Sequence, residues 1–322
     1  MRRRHLPAVL TAAVAPAALA QTLVTDAALD AAAGALTGLP GETALLLEAE
    51  GPKGRIRVAH REGAPVFVGS VIKTFILAAY LKAVEDGRLS LSEPLPVDDD
   101  VRSPVSPVFG ALTGTAPAVV ALEAMITHSD NTGTDMAIRR VTPAAVRALI
   151  AARGLAGTRI PDSTRIMVSA LAGAPPGVDL GWAGIQALDR GAPMPSPRTP
   201  INDVSTMVST GLDMIAWYDF VLAGRFFAKP ETLATFKRIQ SMATAMPEVA
   251  PPDVIAYGKG GSITWNGAQA MAVAGQMVAG PVRATFFYGV NWVGDDASMP
   301  RVAAAAVEQF RIVLTRTLAV LG

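Results

Sequence analysis

The sequence predicts an α+β fold: an antiparallel sheet flanked by terminal helices, with an all-helical segment inserted between its strands. Three observations lead there. Strand-like runs lie near both ends of the chain. Helical periodicity fills the middle. Hydrophobic residues make up 51% of the 322 positions and charged residues 17%, enough to bury a sizeable core.

The elements follow in order. Residues 22–36 read as an alanine-rich helix. Residues 42–48 and 54–59 alternate as a strand pair across a Gly51-Pro52-Lys53-Gly54 turn. Phe67-Val68-Gly69 leads into a helix over 70–86, closed near Gly87. Residues 89–117 are rich in Pro, Ser and Asp and read as a connection. Helices over 119–127 and 132–140 flank His128-Ser129-Asp130-Asn131, and 143–153 is a further helix ended by Gly154. Residues 158–200 are rich in Gly and Pro and read as a long irregular stretch, which points to a functional loop or a hidden element. Asp203 or Ser205 is expected to cap a helix with its body at 212–222, and 230–242 is one more helix. Three strands follow at 255–265, 270–278 and 283–293, the first two joined by an Asn266-Gly267 hairpin signal. A helix over 300–321 closes the chain.

The opening segment has its own pattern. Arg2, Arg3 and Arg4 precede an apolar run over 6–19, and Ala18-Leu19-Ala20 is a small-x-small cleavage signal. This predicts a signal peptide over 1–20 and export to the periplasm or the outside. The expected organisation is then a discontinuous sheet domain over 21–69 and 251–322, with a helical domain over 70–250 that includes the 158–200 region. No later run reads as a membrane span, because charges interrupt each one.

Composition narrows the chemistry. A net charge of +1 lacks the basic stripe of a nucleic-acid binder. With no cysteine there is no disulfide, thiolate metal site or cysteine nucleophile. Of three histidines, His5 falls in the leader, leaving His60 and His128. No metal or cofactor is expected, and Asp98-Asp99-Asp100 reads as a solvated turn. A monomer acting on a small molecule is the simplest expectation.

Three motifs bear chemistry. Ser70-Val71-Ile72-Lys73 opens a helix, so the hydroxyl and amine share a face, and a desolvated lysine can serve as the serine's base. Ser129-Asp130-Asn131 lies between two helices; its hydroxyl can relay a proton, and its terminal amide can donate and accept. Lys259-Gly260-Gly261-Ser262 lies in a strand, with glycines that let a substrate lie against the edge. Each is weak alone.

In this order, S-x-x-K, S-D-N and a K-[TS]-G-like triplet resemble the class A β-lactamases and penicillin-binding proteins. The wording around them agrees: Phe67-Val68-Gly69-Ser70 and Met125-Ile126-Thr127-His128-Ser129. The resemblance implies a β-lactamase/transpeptidase-like fold and β-lactam ring-opening. It makes Ser70 the acylated nucleophile, Lys73 its proton partner and Ser129 the proton donor to the leaving group. Lys259 would set the electrostatics, while Asn131, Gly261 and Ser262 would bind substrate. The N–H groups of Ser70 and Ser262 would form the oxyanion hole.

Two departures stand out. The family's Ω-loop reads L-D-R-W-E-P-x-L-N, its glutamate activating the deacylating water. Aligning on Leu188-Asp189-Arg190 puts Ala192 there; a rival register anchored on Thr164-Arg165 puts Ala170 there. Either way, no glutamate occurs between Glu123 and Glu231. Asp189 is expected to pair with a loop arginine. Second, Gly260 replaces the family hydroxyl, and no Arg or Lys lies between Lys259 and Arg283. Ser262, Thr264 or Arg283 are the candidates to compensate. Three functions remain open: a β-lactamase with slow or unusual deacylation, a peptidase, esterase or transacylase on another ester or amide, and a penicillin-binding sensor that does not turn over. His128 reads as structural, His60 as a surface residue, and Phe109 and Trp265 as possible rim or packing groups.

Overall fold

The computed structural model describes residues 22–322; the leader expected at 1–20 lies outside them. Five strands form one antiparallel sheet in the order β2-β1-β9-β8-β7. They are β1 (Glu42–Gly51), β2 (Gly54–His60), β7 (Ile255–Trp265), β8 (Ala268–Ala279) and β9 (Val282–Val293). The expected hairpin turns close β1 onto β2 and β7 onto β8. The second uses positive φ at both Asn266 (47°) and Gly267 (79°), which suits the right-handed twist of the strands.

Both faces of the sheet are covered, so β8 and β9 are buried along most of their length. On one face pack α1 (Ala27–Thr37) and α11 (Ser298–Leu321), anchored by Tyr288 stacking on Phe310 and by Trp292 donating to Ser298. On the other lies α8 (Gly211–Leu222), where Gly211 leaves room for Phe287. Helix α1 starts at Ala27 rather than at the expected residue 22 because Asp26 caps it, accepting from the Leu29 N–H at 2.8 Å. Thr210, rather than Asp203 or Ser205, caps α8.

At the centre stands α2 (Lys73–Glu85), with ten of its thirteen residues buried. A helix apolar all round is one packed on all sides. Around it lie α3 (Ala118–Thr127), α4 (Asn131–Val141), α5 (Pro143–Ala152) and α9 (Pro230–Gln240). Among the described residues, no helix is long and apolar enough to cross a membrane.

Elements appear where the sequence suggested none. Two short strand pairs join β3 (Val66–Phe67) to β6 (Val208–Ser209) and β4 (Pro94–Val97) to β5 (Gly114–Pro117). The β4–β5 prolines mask the second pair. The 158–200 stretch is not irregular throughout: it holds α6 (Thr164–Leu171) and α7 (Gly181–Asp189), and α10 (Ala245–Val249) precedes β7. Helix α6 is short, and its buried residues include Thr164, Arg165 and Ser169, so its buried side does not read as apolar.

One arginine ties α6 to the body. The Arg165 guanidinium donates to the carbonyls of Asp99, Asp100 and Arg102 and to the Asp179 carboxylate. Asp135 of α4, buried, accepts from the N–H groups of Thr164 (2.7 Å) and Arg165 (3.1 Å) and from the Ser103 hydroxyl. Arg165→Ala strands three carbonyls and a carboxylate; it is expected to cost about 3 kcal/mol of unfolding free energy in a urea titration.

Candidate active site

The candidate site forms where the turn before α2, the α3–α4 connection and the middle of β7 meet. All three motifs line or adjoin one cavity of about 840 Å³. Ser70 sits, half-buried, in a 3₁₀ turn over Gly69–Ile72, and Lys73 follows as the first residue of α2, fully buried. The turn packs backbone to backbone on β7. A Cβ on Gly69 (φ +51°) would lie 3.0 Å from the Ser262 nitrogen. One on Gly261 would lie 2.2 Å from the Val68 oxygen and 2.5 Å from the Ser70 nitrogen. Glycine is therefore required at both positions, and the contact sets the backbone of Ser70 against that of Ser262.

Ser129 is held in the left-handed region, at φ 57°. Non-glycine residues rarely sit there unless surrounding contacts hold them. The contacts are visible. Lys73 Nζ donates to the Ser129 carbonyl at 2.7 Å and reaches its hydroxyl at 3.3 Å. Lys259 Nζ donates to the same hydroxyl at 3.1 Å and to the Gly260 carbonyl at 2.8 Å. The adjacent Asp130, fully buried, accepts from the N–H groups of Val108, Phe109 and Gly133. Asn131 is oriented at both ends: Oδ1 accepts from Lys73 Nζ at 2.8 Å and Nδ2 donates to the Pro104 carbonyl at 2.8 Å. Each end keeps further capacity for a ligand.

The expected Ser70–Lys73 pair is arranged through Ser129. Among the described residues no hydrogen bond joins Ser70 Oγ to Lys73 Nζ; the amine is engaged with Ser129 and Asn131. Burial pushes Lys73 well below the ordinary lysine range. The nearby Lys259 charge adds to this, and Asp135 and Asp130 oppose it. Burial alone brings Lys259 down to about 7. Lys259 can therefore be neutral near neutral pH, and Lys73 gives up its proton far more readily than a solvated lysine.

The two departures have structural readings. Ala192 does not line the cavity, and the Ala170 carbonyl is turned to Arg198. Neither alignment thus puts its alanine on the wall. Met167, Val168 and Leu171 of α6 line it instead, as do Ile185, Leu188 and Met194. The loop's ion pair is Arg165–Asp179, whereas Asp189 stands exposed on the cavity wall. The wording around Arg165 and the caps Ser163 and Asp135 were the signals that place this wall; its apolar side chains carry no motif.

Gly260 is also explained. Its Cβ would lie 2.7 Å from that of Ala245, so α10 occupies the space of a side chain. Of the compensating candidates, Arg283 pairs with Glu50 across β9 and β1, away from the cavity, and Thr264 bonds Gln269 at 2.7 Å. Ser262 keeps an exposed place on the wall, and Lys259 is the one basic residue among those lining it. Trp265 lines the cavity; Phe109 is core, packed near Gly133. His128 is exposed at the end of α3, and His60 ends β2.

A family model described as the Beta-lactamase enzyme family matches residues 45–264. No curated protein matches the chain. Among solved structures, a point mutant of PBP-A in an acyl-enzyme complex with penicillin G is 18% identical with a TM-score of 0.68, covering 93% of this chain and 98% of that one. A β-lactamase from Sphaerobacter thermophilus is 17% identical with a TM-score of 0.69, over 91% and 98%. An ancestral class A β-lactamase is 20% identical with a TM-score of 0.67, over 90% and 99%. At these identities the likeness shows the fold.

Lys259 links the site to stability. Unfolded, the amine holds its proton up to its ordinary value of 10.5; folded, only up to about 7. The unfolded state binds more protons in that window, so stability rises with pH across it. Lys259→Met should therefore melt above the wild type near pH 7, with the gap narrowing towards pH 10, as read by scanning calorimetry.

Proposed function

Because the chain belongs to the beta-lactamase enzyme family, we propose that it is an exported serine hydrolase, with the β-lactam ring as its default substrate, that is acylated on Ser70 and releases the acyl group slowly. The observation that carries this reading is the Ser129 hydroxyl held between two buried lysine amines beside Ser70.

The steps follow from the groups present. Ser70 Oγ attacks the substrate carbonyl carbon, and its proton passes to the neutral Lys73 amine. The backbone N–H groups of Ser70 and Ser262 hold the developing oxyanion. Lys73 touches the Ser129 hydroxyl, so the proton moves on through Ser129 to the leaving nitrogen or oxygen as its bond to carbon breaks. Lys259 keeps the hydroxyl oriented and supplies positive charge for an anionic substrate group. Asn131, fixed at both ends, orients the part of the substrate beside it.

The second half of the cycle needs a base for water. The α6 wall offers Met167, Val168 and Leu171, which cannot take a proton. Deacylation then falls to Lys73, or to a carboxylate reaching water from elsewhere on the wall such as Asp189, or it does not compete and the acyl-enzyme persists. In the limit of no release the protein is a penicillin-binding sensor. A second reading, a peptidase, esterase or transacylase on a different ester or amide, is favoured by the filled space at Gly260 and by a lining whose single basic residue is Lys259.

Time-resolved intact mass with a penicillin tests the scheme. Wild type should gain one adduct that outlasts the mixing time by many minutes, and Ser70→Ala should gain none. Met167→Glu places a carboxylate on the α6 wall and should speed adduct loss by about 10²-fold, the low end for an added general base. Rapid release by the wild type that Asp189→Asn abolishes would overturn the claim that the base is missing.

A further inference from the structure

The cavity that holds Ser70 extends past the reacting groups. Every residue from Gly260 to Trp265 lines it. Successive side chains of a strand point to opposite faces, so the cavity meets both faces of β7 and wraps its outer edge. On one face are Ser70, Ser129 and Lys259. On the other, the register aligns Ser262 with Met271 and Gly260 with Val273 and Tyr288. That is the face on which α11 packs, with Tyr288 and Phe310 stacked at 5.8 Å.

A second lobe therefore lies between the β7 edge and the first half of α11. Met271, Val273 and Tyr288 form its floor, and Met299, Ala303 and Val307 its roof. The roof residues recur every four positions, on one side of the helix; the alanine in the middle leaves the gap. The lobe is continuous with the reacting serine and lined by uncharged side chains, apart from Glu248 at its α10 side. The whole cavity, about 840 Å³, is near the top of the range for small-molecule sites. It is larger than a scissile carbonyl and its immediate substituents require.

We propose that this second lobe binds an uncharged alkyl or aryl arm of the ester or amide that acylates Ser70. The proposal rests on the acyl-enzyme reading above and adds the substrate class: a carbonyl compound with a long apolar arm and no anionic group on that arm. The arm would leave the serine beside Ser262, pass the β7 edge and lie against Met271 and Val273.

Two ester series test it, one lengthening the acyl chain of p-nitrophenyl esters from two to eight carbons, the other lengthening the alcohol of acetate esters over the same range. In one series kcat/KM for the wild type should rise at least tenfold or so, well within the fourfold or so per methylene that full burial permits. Ala303→Phe fills the lobe and should collapse the long-to-short ratio to about twofold or less, with melting temperature as the check on folding. Val307→Ala enlarges the lobe and should move the optimum to longer chains; it decides the matter if Ala303→Phe does not fold. Flat profiles in both series, with short esters or a penicillin still forming the Ser70 adduct, would overturn the second lobe alone. A length dependence that neither variant alters would also overturn it. No adduct with any compound would overturn the acyl-enzyme reading and this inference with it.

Discussion

Two lysine amines held out of water against one serine hydroxyl set the terms for the rest of the structure. Burying a charged amine is costly, and here two converge on Ser129. The fold answers in several ways. Lys73 starts the central helix, where carbonyl and amide oxygens of Ser129 and Asn131 receive it. Lys259 reaches in from an edge strand and takes its own neighbour's carbonyl. Two buried aspartates, Asp130 and Asp135, stand near enough to offset part of the charge. Depressed lysine basicity is what remains, and in the proposed scheme it is the property that activates a hydroxyl without histidine or cysteine.

The same arrangement dictates where glycine must be. The proposed oxyanion hole brings the backbones of Ser70 and Ser262 together only if the turn before α2 touches β7 directly, and Gly69 and Gly261 are the residues at that contact. On the opposite wall, Asp135 holds the first N–H groups of α6 and the Arg165 guanidinium ties α6 to the carbonyls of Asp99, Asp100 and Arg102, so that Met167 and Leu171 face the cavity. The wall is thus rigidly placed yet chemically silent. On the proposed scheme this geometry favours acylation over hydrolysis, and the apolar character extends round the β7 edge to α11.

Much of this was legible in the sequence for identifiable reasons. Strong turn chemistry at Gly51–Gly54 and Asn266-Gly267 marked the hairpins, and the three motifs marked Ser70, Lys73, Ser129, Asn131 and Lys259, which do meet at one cavity. What escaped lacked a local signal. Helix α6 spans only eight residues and buries Thr164, Arg165 and Ser169 along with its apolar side chains. Its place depends on Arg165 reaching the carbonyls of Asp99, Asp100 and Arg102, over sixty residues away. The α10 alanine that fills the space beside Gly260, and Met299, Ala303 and Val307 that roof the second lobe, are ordinary apolar residues whose meaning lies in what they face. Arg283 looked available for a substrate anion only because sequence does not reveal its cross-strand partner, Glu50.

Both buried amines are desolvated and should lose protons far more readily than free lysine. An NMR titration of the lysine side chains in the intact protein, assigned with Lys73→Met and Lys259→Met, measures this. Lys259 should titrate at about 7, and Lys73 well below the ordinary 10.5. Two lysines titrating together near 10.5 would mean that neither amine is desolvated.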